Sequence, residues 1–318
     1  MERAGGSDMS DDPDHVRIVE KAAVWFATMH GGSPSARDKK ALKAWLAADP
    51  RHARAYADID RLWTGAIELP GMKERHRTAR KAMTRRGLGK AVIAGAVGLG
   101  AWRYLASHPF ADYRTTTGER RTVTLADGST VDLAAETKLS VAFTRERRGL
   151  TLHEGEAFFA VAKDAGRSFV VEAGEGRTTA LGTAFGVNYR DESVTVTVTE
   201  SAVDVALNSE ATRVSAGSLI TYDSRHIGEP RPSETGAELA WREGRLIFAQ
   251  APLGRVVQAL NRWRSGRIVV VGGSLAARPI TLIVNLDRTD TIVAQLAEAV
   301  PMRIVAATPY LTLLFHAD

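Results

Sequence analysis

The chain of 318 residues contains no cysteine. That excludes a disulfide, a thiolate metal site and a thiol nucleophile. Its eight histidines are scattered, and those beyond residue 112 (His153, His226 and His316) form no convergent catalytic set. No turnover enzyme, metal site or cofactor is therefore expected. The longest uninterrupted apolar run, Ala91–Trp102, is only 12 residues, which is short for a membrane helix. A basic domain is also missing. The net charge of +5 and the sequence pI of about 9.5 come from residues 71–90, which hold eight basic side chains against Glu74 alone. The segments on either side each carry −1. This charge balance argues against direct nucleic-acid binding and leaves a helix-turn-helix reading of the N-terminus weak.

What is present is organised around that basic stretch and the run after it. Widened to Leu88–Leu105, the apolar segment has 18 residues and would span roughly 27 Å as a helix, close to a bilayer core. Lys90 and Arg103 lie near its ends, where they can snorkel. The preceding positive charge predicts a cytoplasmic N-terminus and an exported C-terminal part. Thr84-Arg85-Arg86-Gly87-Leu88-Gly89-Lys90 resembles a twin-arginine export signal, with Arg85, Arg86 and Lys90 as its topology-setting residues. The expected localisation is the bacterial inner membrane, crossed once.

Before the membrane, three amphipathic helices are predicted within residues 1–70. Ile18, Ala22, Trp25, Phe26 and Met29 form the first stripe, which Gly31-Gly32 ends. Ser35 followed by Asp38 marks the start of a second helix bearing Leu42, Trp45 and Leu46. Asp49-Pro50 opens a third, with Ala55, Tyr56, Ile59, Leu62 and Trp63. So small an all-α domain is marginal by itself, so its apolar side chains are candidates for a partner.

These residues carry a resemblance. Ala23 to His30, Ala41 to Pro50 with Trp45 and Asp49, and His52 to Trp63 look like the N-terminal region of the FecR-like family, transmembrane sigma regulators (anti-sigma factors) of iron-uptake signalling. The resemblance implies a cytoplasmic region that binds an extracytoplasmic-function sigma factor. Trp25, Phe26, Trp45, Leu46, Tyr56 and Trp63 are then the candidate contact residues.

Beyond the membrane, residues 112–222 read as an all-β domain. Arg121–Leu125 and Thr130–Leu133 flank Asp127-Gly128 as a hairpin. Further strands are expected at Leu139–Phe143, Gly149–Leu152, Ala157–Val161, Ser168–Glu172, Thr178–Leu181, Phe185–Tyr189, Val194–Thr199 and Val203–Leu207. A sandwich, a barrel and a β-solenoid all suit this spacing. Glu154 and Glu156, on either side of Gly155, read as solvent-facing or turn-bonding rather than as a catalytic pair. Leu125 to Val131, Leu152 to Val161, Phe169 to Val171 and Leu181 to Val187 resemble the central FecR domain. Two turns depart from that pattern: Ala134-Ala135-Glu136 replaces an Asn-containing turn, and Glu200-Ser201 replaces Glu-Gly. Some members of the family cleave themselves at a Gly-Thr bond in this motif, which makes Gly182 and Thr183 candidates for a single-turnover N-to-O acyl shift. The same motif also serves as a tight turn.

A linker is expected over 223–238, followed by an α+β domain over 239–318. It contains a repeat at an offset of 36 residues. Leu246-Ile247-Phe248 answers to Leu282-Ile283-Val284, Val256/Val257/Leu260 to Ile292/Val293/Leu296, and Arg267-Ile268-Val269 to Arg303-Ile304-Val305. The tandem βαβ pattern resembles the short signalling domain of secretins and TonB-dependent transporters, with Trp263 and Arg264 as a candidate partner surface; Trp263 equally suits a cap on the core. The family resemblance implies that the periplasmic part reads the signalling domain of a TonB-dependent outer-membrane transporter, and that periplasmic and intramembrane proteases relay the signal. A membrane-anchored carbohydrate- or peptidoglycan-binding protein is the alternative.

Overall fold

Capping chemistry sets the N-terminal helices. The computed structural model describes residues 12–30, 34–67, 111–308 and 310–317. The predicted membrane segment at 88–105 and the basic signal with Arg85, Arg86 and Lys90 lie outside them. No helix among the described residues is long and apolar enough to cross a membrane.

Helix α1 spans Pro13–His30, α2 Ala36–Ala48 and α3 Pro50–Ile67. The predicted cap of α2 is a full capping box: the Ser35 hydroxyl accepts from the Asp38 amide at 3.1 Å, and the Asp38 carboxylate accepts from the Ser35 amide at 3.0 Å. At the next corner Asp49 accepts from the Arg51 amide at 2.8 Å, while Pro50 occupies the first position of α3, where no amide is needed.

The β domain is two sheets that share one strand. Strands β1 (Tyr113–Arg114), β2 (Arg121–Thr124), β3 (Thr130–Leu133), β4 (Lys138–Phe143) and β5 (Arg147–Ala160) come first. Strands β6 (Ser168–Ala173), β7 (Gly176–Ala180), β8 (Ala184–Arg190), β9 (Ser193–Glu200), β10 (Ala202–Leu207), β11 (Glu210–Ser215), β12 (Ser218–Tyr222) and β13 (Arg231–Pro232) follow. The predicted hairpin forms, with Val123 opposite Val131. The first half of β5 lies antiparallel to β4 and parallel to β6; its second half lies antiparallel to β3 and β8. One core of inward-facing side chains, including Leu133, Leu152, Phe159, Phe169, Phe185, Val196 and Val205, fills the space between the sheets.

Two sequence expectations change here. The strands predicted at 149–152 and 157–161 are one strand, bent at Gly155 (φ +105°). A Cβ at Gly155 would lie 2.4 Å from the Thr137 Cα, so only glycine permits this approach. The linker expected over 223–238 is part of the β domain. Its Arg231–Pro232 pairs with β12, helix α4 (Thr235–Glu238) follows, and the next turn buries Ala240 and Trp241. The compact unit containing this domain ends at Glu243, and the last domain begins at Gly244, not at 239.

The last domain runs through the strand–helix–strand order twice. Strand β14 (Arg245–Pro252), helix α5 (Leu253–Leu260) and strand β15 (Arg267–Val270) form the first copy. After helix α6 (Gly273–Ala277) come β16 (Pro279–Asn285), helix α7 (Ile292–Ala299) and β17 (Met302–Thr308); β18 (Leu311–His316) closes the domain. The equivalent strands of the two copies pair antiparallel, Leu246 with Val284 and Ile247 with Ile283, as a local two-fold relation requires. Strand β18 inserts between β15 and β17, parallel to the first and antiparallel to the second.

Both faces of this three-stranded sheet are covered, which explains why β18 reads as an apolar run. Ile268 and Leu314 face α5 and α7. Leu311, Leu313, Phe315 and Ala307 face the other way, in one cluster with Ala22, Ala23 and Phe26 of α1 and Ala55 and Ile59 of α3. All nine are at most 4% exposed. The described N-terminal helices and the described residues from Gly244 onward therefore belong to one compact unit, although the β domain lies between them in the linear order of the chain.

Candidate functional site

The α2–α3 corner brings Trp45 together with Asp49, Arg51 and His52. His52 lies flat on Trp45, with ring centroids 4.2 Å apart and planes within 4°. Its Nδ1 is 2.7 Å from the Trp45 carbonyl oxygen. Asp49 anchors the same corner and receives both Nε (2.9 Å) and Nη2 (2.8 Å) of Arg51. That side-chain bond, with the amide of Arg51, pulls the Asp49 carboxyl down to about 2. Trp45, Asp49, Pro50 and His52 thus lock one corner between two helices. Beside it lies an open groove of about 350 Å³ lined by Asp14, Arg17, Ile18, Lys21, Trp45, Arg51 and His52. Aromatic and cationic groups there offer a surface of mixed character, the kind that anchors a protein partner.

The predicted contact residues divide into two sets. Trp45 lines the groove, and Leu46 is half-buried. Trp25 is half-buried with the Lys21 ammonium 5.8 Å from its ring centre, and its indole N–H has no partner among the described residues. The second set faces the C-terminal sheet. Phe26 is fully buried, 5.7 Å from the Tyr56 ring and 6.1 Å from the Trp63 ring. Burial raises the Tyr56 hydroxyl above its ordinary value. Trp63 reaches the Tyr310 ring at 6.2 Å. In this form Phe26 is closed to another protein, while Tyr56 and Trp63 are half-buried.

In the β domain the quoted motifs meet at two hubs. At the first, Asp127 accepts from the Ser129 amide (3.0 Å) and hydroxyl (2.7 Å), and from Nη1 of Arg148 (2.9 Å). Arg148 is fully buried and also donates to the carbonyls of Ala162 and Arg167. Burial alone pushes the Asp127 carboxyl up, but the bonds from Ser129 and Arg148 outweigh it and hold the group below its ordinary value. The second hub is Glu156, which accepts from the Trp241 indole at 2.7 Å and from Asn188 at 3.1 Å. It fastens the end of the domain to β5. Glu154 instead pairs with Lys138 at 2.7 Å.

Residues 111–204, which contain both hubs except Trp241, match the model of the FecR protein family. Residues 20–62 match a domain of unknown function, DUF4880. Residues 111–204 are thus similar to the FecR domain. Two crystal structures of a "putative anti-sigma factor" from Parabacteroides distasonis ATCC 8503, at 1.65 and 2.50 Å resolution, are similar to part of this chain. Each is 25% identical with a TM-score of 0.58, and the match covers 65% of this chain and 99% or 98% of the other. Nothing matches among curated proteins.

Two features of this FecR domain concern the predicted Gly182-Thr183 site. A Cβ at Gly182 would lie 2.8 Å from Lys163 Cγ, so the close approach selects glycine. Thr183 is 5% exposed, and its hydroxyl donates to the Glu200 carbonyl. Both departures from the family pattern hold left-handed backbone: Glu136 at φ 57° and Ser201 at φ 58°. In the last domain, Trp263 is only 6% exposed. Of the two sequence readings of Trp263, its burial favours the cap on the core over a partner surface. Neighbouring Arg264 is half-buried; its Nε and Nη1 have no partner among the described residues, and burial lowers its pKa.

Proposed function

We propose that this protein is a single-pass inner-membrane regulator of an extracytoplasmic-function sigma factor. The observation that carries the reading is the joining of the two matches in one chain. A helical DUF4880 region precedes a FecR domain, and a protein described as a putative anti-sigma factor is similar to this chain over 65% of its length. The cytoplasmic helices hold the sigma factor through Trp25, Trp45 and Leu46 around the α2–α3 corner, and through Phe26, Tyr56 and Trp63 when these are uncovered. The exported part meets the signalling domain of a TonB-dependent transporter, and proteolysis on the far side of the membrane relays the signal. A single membrane helix transmits rigid movement poorly, which favours cutting over pushing.

The test is capture from the protein's own cells with the tagged full-length chain, beside a Trp45→Ala control, followed by mass spectrometry. A sigma factor bound by wild type and lost from the variant is expected. No sigma factor, with the helices intact by circular dichroism, sinks the proposal. A single-turnover cut at Gly182-Thr183 belongs to the same proposal. It predicts two fragments that Thr183→Ala converts to one full-length band.

A further inference from the structure

The packing of α1 and α3 on β17 and β18 has a direct consequence for a chain that crosses a membrane between them. Once the crossing is complete, the two surfaces lie in different compartments and cannot touch. Yet they are built for each other. Ala22, Ala23 and Ala55 present small side chains that let the helices approach the sheet. Phe26 and Ile59 fill the remaining space with Leu311, Leu313 and Phe315, and these five are at most 1% exposed. At the rim Glu20 pairs with Arg303 at 2.5 Å, and Trp63 meets Tyr310. Separated, the molecule would show two contiguous apolar patches, a liability for any soluble domain.

We infer that the outer face of the β15–β18–β17 sheet is a docking surface for the chain's own N-terminal helices, occupied before export and vacated by it. The inference rests on the single-pass reading and deepens it. The twin-arginine-like segment around Arg85-Arg86 addresses the chain to a route that carries folded domains. The C-terminal domain contains no cysteine, so it needs no oxidising compartment to fold. It therefore folds beside the N-terminal helices, and each masks the other's apolar face. Phe26 stays fully covered, and Tyr56 and Trp63 partly covered, until translocation removes the sheet. Sigma-factor binding through those residues then becomes conditional on correct insertion.

The absence of native cysteine makes the test clean. Glu20→Cys and Arg303→Cys are placed together in the full-length chain with a C-terminal epitope. Both positions lie at the rim, with side chains 23% and 43% exposed, so the buried faces stay intact. A short bis-maleimide is applied to cells carrying the normal export signal and to cells in which Arg85→Lys and Arg86→Lys block it. The expected result is an intramolecular cross-link in the blocked pool, falling about tenfold or more in molecules whose epitope is digested from outside the membrane. The docking is overturned when both cysteines take up N-ethylmaleimide in the blocked pool and no cross-link forms. Release by export is overturned when inserted molecules cross-link equally. An epitope never reached from outside sinks the single-pass reading and the release step together, while the blocked-pool yield still decides the docking.

Discussion

Replacing Arg148 with methionine removes a guanidinium that the β domain cannot replace with water. The side chain is fully buried and donates to Asp127 at 2.9 Å, to Ala162 O at 2.9 Å and to Arg167 O at 2.9 and 3.2 Å. The substitution leaves a buried carboxylate without its cation, which costs about 3–5 kcal/mol. It also orphans two carbonyls at about 1–3 kcal/mol each, although the methionine recovers part of the apolar packing. A net loss of about 4 kcal/mol or more is expected, against a typical total stability of about 5–15 kcal/mol. Residues 111–243 carry Trp241 as their only tryptophan, so urea unfolding of that fragment reports on the sandwich through one fluorophore. A midpoint shift worth under about 1 kcal/mol at unchanged slope would refute the reasoning and reduce the Arg148–Asp127 pair to an ornament of the turn. Adding Asp127→Leu to Arg148→Met removes the orphaned charge and should recover part of the loss.

Three further outcomes follow from the same domain. Gly155→Ala forces a Cβ to within 2.4 Å of Thr137 Cα at φ +105°; a loss of about 2–6 kcal/mol, read as a collapse of the thermal midpoint, is expected. Ser201→Gly relieves left-handed backbone at an exposed turn and should raise stability by about 0.5–1 kcal/mol, detectable as a small rise in the urea midpoint. Asp127 has a lowered folded pKa, so its contribution is complete above the unfolded carboxyl value of about 3.9 and is lost as pH falls through the folded value. The stability gap between wild type and Asp127→Asn should therefore be flat through neutral pH and close in acid.

Local signals were legible in the sequence. Ser35 with Asp38, and Asp49 with Pro50, announce helix starts because a cap is made within four residues. The hairpin around Asp127-Gly128 is legible for the same reason, and the 36-residue repeat shows as parallel apolar patterns. Features that depend on distant partners were hidden. Gly155 reads as a break between two strands, and only its contact with Thr137 reveals a bend within one. Trp241 reads as the start of the last domain, because its hydrogen bond goes to Glu156, 85 residues earlier. Strand β11 escaped notice because four of its six positions are exposed, which erases the alternation. The Trp45–His52 stack lay within reach of sequence reasoning, since Asp49-Pro50 fixes the corner that brings both rings together. The helices' contact with β18 was out of reach, because nothing in either stripe names its partner.

The long strand β5 sets an order of events in time. Its 14 residues pair with β3, β4, β6 and β8, so neither sheet can close until residues well before and well after it are available. Such long-range pairing makes folding slow and all-or-none, whereas the three N-terminal helices close on neighbours within their first 67 residues. During synthesis the helices are ready early, with their apolar stripe waiting, and the sandwich arrives late. The chain thus completes its helices before its sandwich, and the length of that interval is written into the connectivity of one strand.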